Sequence, residues 1–157
     1  MTNEVFSTKG SNLAAGRVVE VLMVEDSPTD VLMAQEALEQ AKILVNLHVV
    51  EDGVEAMLFL RKHGKYGNVP RPDIILLDLN LPRKDGREVL AEVKSDDGLK
   101  IIPVVVLTTS KADEDISKSY GLHANCYITK PVGFTRFAEV VNSIEHFWFT
   151  IVTLPVS

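Results

Sequence analysis

Three acidic residues of this 157-residue chain directly follow short apolar stretches. Glu25 and Asp26 come after VVEVLMV, and Asp78 comes after IILL. Carboxylates that lie close together repel one another, and each resists ionising unless a cation is present. Oxygen ligands without a nearby His or Cys suit a hard ion such as Mg²⁺ better than zinc or copper. These residues therefore predict a magnesium site, provided that the fold brings them together.

A hydroxyl and an ammonium group follow two further apolar stretches in the same way. Thr108 comes after VVVL, and Lys130 comes shortly after the stretch that ends at Ile128. Together with a divalent ion, these two groups would form a cradle for a phosphoryl group, whose transfer depends mainly on positioning and charge neutralisation. Asp78 stands apart from the Glu25-Asp26 pair, so we expect it to be the nucleophile that forms an aspartyl phosphate.

Each of these residues also has an ordinary structural explanation. An Asp after an apolar strand is usually a turn residue or a helix cap, and Thr is a good strand residue with no necessary role. An acidic pair often forms a solvated loop before a helix, and a Lys beside a proline is ordinarily on the surface. The functional interpretation depends on the coincidence of all of them at one edge of a sheet.

The elements that must position these residues alternate along the chain. We predict strands over 18–24, 43–50, 74–77, 104–107 and 124–128. Helices are predicted over 28–41, 54–64, 86–94, 113–120 and 134–150. In the first of them Ser27 suits the N-cap, Pro28 the first helical position and Asp30 the first turn. Such alternation predicts an α/β fold with a doubly wound, flavodoxin-like parallel sheet of five strands, in the order 2-1-3-4-5, and five helices on its two faces. In this order the first and third strands are neighbours, so that their carboxyl ends meet.

Four sequence motifs resemble the signature set of response-regulator receiver domains, the phosphoacceptor domains of two-component signalling. They are Glu25-Asp26, LLDLNLPRKDG, LTTS and ITKPV. The resemblance covers residues 18–150, and the motifs match in both order and spacing. The stretch VLTTSKADEDISKSY resembles, more narrowly, the single-domain regulators that are paired with cyanobacterial phytochromes.

The resemblance implies a role for the residues around Asp78. Asp78 would accept a phosphoryl group from a histidine kinase, in this subfamily a phytochrome. Glu25, Asp26 and Asp78 would hold Mg²⁺ together with the backbone carbonyl of Asn80, and Lys130 would pair with the phosphate.

The resemblance also implies a conformational switch. Thr108 would move to donate a hydrogen bond to the phosphoryl group. Tyr127 matches the aromatic side chain that turns inward when this hydroxyl shifts. The protein would then signal by a change in protein association.

Two other functional classes stay open at this point. The first is a Mg²⁺-dependent phosphatase with an aspartyl-phosphate intermediate, but such enzymes commonly carry D-x-D, and Asn80 cannot donate a proton as the second Asp does. The second is a pseudo-receiver that binds partners without phosphate, which the loss of Asp78 or Lys130 would favour, although both are present. We therefore expect a phosphoacceptor signalling protein and not an enzyme.

The overall composition excludes several classes of protein. The net charge is −6 and the chain has no basic cluster, so it lacks the electrostatic footprint of a nucleic-acid or anionic-membrane binder. No apolar run approaches the ~20 residues that span a bilayer. The single cysteine, Cys126, fits a reducing compartment. We expect a cytoplasmic protein without nucleic-acid or membrane partners.

The chain is predicted to contain one domain between two short terminal segments. Residues 1–16 are polar and predict a flexible arm, 17–150 form the receiver domain, and 151–157 form a tail. The last helix and the tail carry apolar side chains beyond those needed for the core, which predicts a homodimer contact, with a tail folded back on its own domain as the alternative. The predicted contact residues are Phe134, Phe147, Trp148, Phe149 and Ile151.

Overall fold

The computed structural model describes residues 4–6, 18–40, 44–108, 124, 126–130 and 139. This part of the chain contains the strands β1 (Glu4–Phe6), β2 (Val19–Val24), β3 (Val45–Val50), β4 (Ile74–Asp78), β5 (Val104–Thr108) and β6 (Cys126–Thr129). It also contains the helices α1 (Pro28–Gln40), α2 (Gly53–Leu60) and α3 (Gly86–Ser95). The helices predicted over 113–120 and 134–150 lie outside the described residues, apart from Glu139, which is helical. No described helix has the length and apolar character needed to cross a membrane.

The described strands form one sheet in the order β1-β3-β2-β4-β5-β6. Strands β2 to β6 are parallel to one another, with Val24 opposite Leu77 and Asp78 opposite Leu107. Counted from β2 onward, the parallel strands follow the order 2-1-3-4-5. The predicted flavodoxin-like α/β fold is therefore confirmed.

The segment predicted to be a flexible arm contributes an additional strand. Glu4–Phe6 pairs in antiparallel orientation with β3, so that Glu4 lies opposite Leu47 and Phe6 opposite Val45. A strand of three residues is too short to show the alternation of apolar and polar residues that predicts a strand. Its pairing is decided by the exposed edge of β3, which the local sequence does not reveal.

The sheet separates two apolar clusters. One joins β2 to α1 and includes Met23 and Leu38. The other joins the sheet to α2 and α3 and includes Leu22, Phe59 and Leu90. Successive residues of a strand point to opposite faces, so the fully buried strands β4 and β5 need apolar side chains at consecutive positions. This burial explains why their unbroken apolar runs predicted them to within one residue.

Two helices begin at the edge of the sheet where the parallel strands end. Helix α1 starts at Pro28 as predicted, and the Ser27 Oγ atom accepts a hydrogen bond from the Asp30 N–H at 3.3 Å. Helix α2 starts at Gly53, where the Asp52 Oδ1 atom accepts from the Glu55 N–H at 2.8 Å. The strand ends and the helix starts therefore share one edge, and this edge carries the acidic residues.

Helix α2 is shorter than predicted. It ends at Leu60, and a 3-10 turn over Gly64–Tyr66 follows. The prediction that the helix continues to Gly64 was wrong because Lys62 adopts a left-handed backbone conformation, with φ of 56°. A residue in this conformation terminates an α-helix.

Candidate functional site

The carboxyl ends of the parallel strands place the predicted site residues along one edge. Glu25 and Asp26 follow β2, Asp78 ends β4, Thr108 ends β5, and Lys130 follows β6. Hydrogen bonds of the sheet continue into these residues, because the Lys130 N–H donates to the Thr108 carbonyl at 2.6 Å and the Glu25 N–H donates to the last carbonyl of β3 at 3.0 Å. The backbone of the site is therefore part of the rigid sheet.

The three carboxylates predicted to bind a metal come together. One oxygen from each of Glu25, Asp26 and Asp78 lies within 4.8 Å of the others. Glu25 is 1% exposed and Asp78 is 2% exposed, whereas Asp26 faces solvent. The Asn80 N–H donates a hydrogen bond to Asp78 Oδ1 at 3.1 Å, so the turn after β4 also fixes the orientation of this carboxylate.

The electrostatics of Glu25 fit a cation at this position. Burial raises the pKa of Glu25, the hydrogen bond with Lys130 opposes the increase and the charge of Asp78 adds to it, so that the pKa lies at about 7. A buried carboxyl with a raised pKa is stabilised in its ionised form by a nearby cation. Three converging carboxylates offer the hard oxygen donors that Mg²⁺ or a similar divalent ion prefers. The donor set therefore fits such an ion.

The ammonium group of Lys130 lies at the centre of a second set of carboxylates. Its Nζ atom is 2.8 Å from Glu25 Oε2, 3.0 Å from Asp30 Oδ2 and 3.1 Å from Asp78 Oδ2. Burial alone would lower the pKa of Lys130, but hydrogen bonds to these three carboxylates hold it above the ordinary lysine value. Lys130 is therefore a permanent cation beside Asp78.

Asp30 is a member of this site that the sequence interpretation missed, because it assigned Asp30 only to the first turn of α1. The residue lies 100 positions from Lys130 in the chain. A weak signal was present, since Asp30 lies in the first turn of a helix that starts at the predicted site.

The hydroxyl of Thr108 is buried beside the acidic cluster. Thr108 is 0% exposed, and its Oγ1 atom forms no hydrogen bond with any of the described residues. A buried hydroxyl without a partner is energetically costly, and a catalytic role or a bound ion or water is among the explanations for such a group. Tyr127 is half-buried and packs against the apolar cluster on the α2 and α3 side of the sheet. Their coordinated movement stays a prediction.

The turn after Asp78 is packed too tightly for any side chain at Gly86. A Cβ atom there would lie 2.2 Å from the carbonyl oxygen of Asp78 and 2.6 Å from Cα of Leu79. The Gly86 N–H also donates to the Leu79 carbonyl at 3.0 Å. Helix α3 therefore starts directly against the backbone of Asp78 and Leu79, and only glycine permits this approach.

An ion pair ties the same turn to helix α2. The Nη1 atom of Arg83 lies 3.2 Å from Oδ2 of Asp52, the buried residue that caps α2. Arg83 has φ of 65°, a conformation that residues other than glycine rarely adopt. The contact with Asp52 helps to offset the strain of this conformation and links the loop after Asp78 to the neighbouring helix.

The residues predicted to form a dimer contact are outside the part of the chain that the structure describes. They are Phe134, Phe147, Trp148, Phe149 and Ile151.

Residues 21–142 match the response regulator receiver domain family. The chain belongs to this family. The match includes the acidic cluster, Thr108 and Lys130, so the residues assembled at the sheet edge all lie within the family domain. Membership confirms the predicted resemblance to receiver domains and places the chain among the signalling proteins of two-component systems.

Comparisons with individual proteins narrow the relationship. The response regulator Rcp1 of Synechocystis sp. is 52% identical over 137 residues, which cover 87% of this chain and 93% of the relative. The crystal structure of the phosphorylated cyanobacterial phytochrome response regulator RcpA superposes with a TM-score of 0.71 at 52% identity, over 85% of this chain and 95% of that one. The Mn²⁺-bound form of Rcp1 gives a TM-score of 0.69 at 52% identity, over 83% and 94% of the two chains. The chain is thus similar to phytochrome-associated response regulators over nearly their whole length.

Proposed function

We propose that this receiver domain accepts a phosphoryl group on Asp78 from a histidine kinase, in a reaction that requires Mg²⁺. The observation that carries the proposal is the position of the buried Asp78 carboxylate, which lies between the Lys130 ammonium group and the carboxylates of Glu25 and Asp26. Lys130 Nζ lies 3.1 Å from Asp78 Oδ2, and the oxygens of Glu25 and Asp26 lie within 4.8 Å of Asp78. A carboxylate so placed can act as a nucleophile toward a group whose negative charge is neutralised on several sides.

Glu25, Asp26 and Asp78 would hold the ion together with the backbone carbonyl of Asn80. When bound, Mg²⁺ would neutralise the clustered carboxylates and the oxygens of the incoming phosphoryl group. Mg²⁺ characteristically combines one or two carboxylates with phosphate oxygens and water. An exposed Asp26 beside two buried carboxylates leaves the solvent side of such an ion open to these ligands.

The residues of the chain would perform the transfer as follows. An oxygen of Asp78 attacks the phosphorus of a phosphohistidine, the P–N bond breaks, and its electron pair returns to the imidazole nitrogen. Lys130 donates to a phosphoryl oxygen in place of the carboxylate oxygen that it contacts before the reaction. The hydroxyl of Thr108, which has no hydrogen-bond partner among the described residues, provides a further donor, and its movement would allow Tyr127 to turn inward. The domain would thereby assist its own phosphorylation and dephosphorylation without being an enzyme for other substrates.

The names of the relatives support a phytochrome as the kinase. The cyanobacterial phytochrome response regulator RcpA matches this chain at 52% identity, so a phytochrome-type photoreceptor kinase is the partner that we propose. The proposed compartment is the cytoplasm, because a chain with a single cysteine fits a reducing environment.

Intact-mass spectrometry after incubation with acetyl phosphate tests the phosphoacceptor proposal. We expect the mass of one phosphoryl group to be added only in the presence of Mg²⁺ and to be removed by mild alkali, as for an acyl phosphate. Asp78→Asn should abolish the adduct. The matched control Asp97→Asn changes an aspartate whose side chain is 95% exposed and should retain it. An adduct that persists in Asp78→Asn would refute the assignment.

We further propose that the output is protein association, through a homodimer that uses the last helix and the tail. Sedimentation of the full chain and of a chain that ends after Glu145, with and without acetyl phosphate, tests this. Loss of the dimer in the shorter chain is the expected result. The same oligomeric state in both chains would contradict it.

A further inference from the structure

Three carboxylates surround the Lys130 ammonium group, but only two of them belong to the acidic cluster. Glu25 and Asp78 lie in that cluster, whereas Asp30 is not part of it. We infer that Asp30 is a positioning residue, which holds the Lys130 ammonium beside Asp78 while a divalent ion occupies the other two carboxylates. The inference rests on the proposed phosphoacceptor function, and it assigns to Asp30 a role that neither the motifs nor the relatives' names indicate.

The physical reason lies in the competition between two cations for the same oxygens. Lysine carries a compact charge on a flexible four-carbon stem, so its position depends on the acceptors around it. A divalent ion that binds Glu25 and Asp78 neutralises both carboxylates and repels the ammonium group. Two of the three attractions that fix Lys130 are then weakened. The Asp30 carboxylate, at 3.0 Å from Nζ, is not neutralised by this ion and continues to attract Lys130.

The local structure makes Asp30 a firm anchor. It lies in the first turn of α1, where its N–H donates to the capping Ser27 Oγ at 3.3 Å. The Ser27 N–H in turn donates to Glu25 Oε1 at 3.1 Å. One short turn therefore fixes the Glu25 carboxylate on one side and the backbone that carries Asp30 on the other. The Asp30 side chain is 21% exposed, so its ion pair with Lys130 is less screened by water than a surface pair.

An alternative explanation assigns Asp30 to helix stability alone. An acidic residue in the first turn interacts favourably with the positive end of the helix dipole. Such a role does not depend on Lys130, so its removal should have the same effect whether or not the lysine is present. The two explanations therefore differ in the coupling between the two residues, which a double-mutant cycle measures.

The first experiment compares rates of phosphorylation by acetyl phosphate at saturating Mg²⁺. Asp30→Asn should lower this rate by about tenfold, the factor expected for losing one charge-assisted hydrogen bond, and additional Mg²⁺ should not restore it. In a Lys130→Ala background, Asp30→Asn should change the residual rate by less than about twofold. Asp30→Glu, which keeps the charge, should recover part of the rate. Glu36→Gln removes one charge from an exposed position of the same helix and should behave as wild type.

A second measurement does not depend on phosphorylation. In the Mg²⁺-loaded protein, the NMR signal of the Lys130 ammonium protons, assigned by its absence in Lys130→Ala, reports their exchange with water. Asp30→Asn should accelerate this exchange at least about tenfold, since the ammonium loses its charged anchor. Unchanged exchange, or additive effects in the double-mutant cycle, would overturn the inference. If wild type takes up no phosphoryl group but the exchange responds to Asp30→Asn, the proposed function fails and the positioning role stands.

Discussion

Replacing Glu25 by glutamine should stabilise the metal-free protein at neutral and alkaline pH, although it removes an ion pair. Glu25 is 1% exposed, and burial next to Asp78 raises its pKa from 4.5 to about 7 despite the nearby Lys130. Ionised Glu25 is therefore unfavourable in the folded chain without a metal. Glutamine imitates the neutral form of the side chain and avoids this penalty.

The sign and size of the effect follow from proton binding in the two states. Between pH 4.5 and about 7, the unfolded chain loses the Glu25 proton while the folded chain retains it, so that raising the pH favours unfolding. This pKa shift lowers the free energy of unfolding by roughly 3 kcal/mol, and the full loss is reached above the pKa of the folded state. Below the unfolded pKa both states bind the proton, and the contribution disappears.

Urea unfolding in the presence of a chelator, at about pH 4.5 and about pH 8, measures this difference. The free energy of unfolding of Glu25→Gln should exceed that of wild type by roughly 3 kcal/mol at the higher pH, and the two values should be nearly equal at the lower pH. Glu36→Gln, at an exposed position, is the matched control. Mg²⁺ should stabilise wild type at the higher pH and have little effect on Glu25→Gln. A variant that is less stable than wild type at the higher pH would refute the reasoning.

Three further substitutions test the packing around the site by urea unfolding. Gly86→Ala should destabilise the protein by about 3 kcal/mol, because the new Cβ atom would lie 2.2 Å from a backbone carbonyl oxygen. The control Gly67→Ala should leave the stability nearly unchanged, because its nearest contact would be at 3.8 Å. Thr108→Val should stabilise the unphosphorylated protein by about 1 kcal/mol, because it removes a buried hydroxyl that has no partner among the described residues; a loss of stability would indicate a partner. Arg83→Gly should be less destabilising than Arg83→Ala, because glycine adopts a φ of 65° without strain. Both variants lose the contact with Asp52, so equal losses of stability would argue against strain at this residue.

The sequence predicted most of the sheet because burial on two faces leaves a clear pattern. Strands β4 and β5 were predicted to within one residue from their unbroken apolar runs. The start of α1 was predicted from Ser27 and Pro28, since capping chemistry is local. The end of α2 was not predicted correctly, because the left-handed conformation of Lys62 depends on the packing of the following turn and not on the lysine side chain.

The acidic cluster and its lysine could be anticipated for a topological reason. The carboxyl ends of parallel strands share an edge, so Glu25, Asp78 and Lys130 were expected to meet. The contact between Asp30 and Lys130 could not be anticipated in this way, because it depends on which side of α1 faces β6 and on the direction of a flexible side chain. The ion pair between Arg83 and Asp52 similarly joins two loops whose paths the strand order does not determine.

The short strand β1 has a practical consequence for work with this protein. Its backbone satisfies the outward-facing amide and carbonyl groups of β3, which would otherwise offer a template for another chain. A purification tag or a deletion that disturbs Glu4–Phe6 would uncover this template and promote adventitious oligomers. Their size alone would not distinguish them from the proposed dimer, so Glu4–Phe6 should be left intact whenever phosphate-dependent assembly is measured.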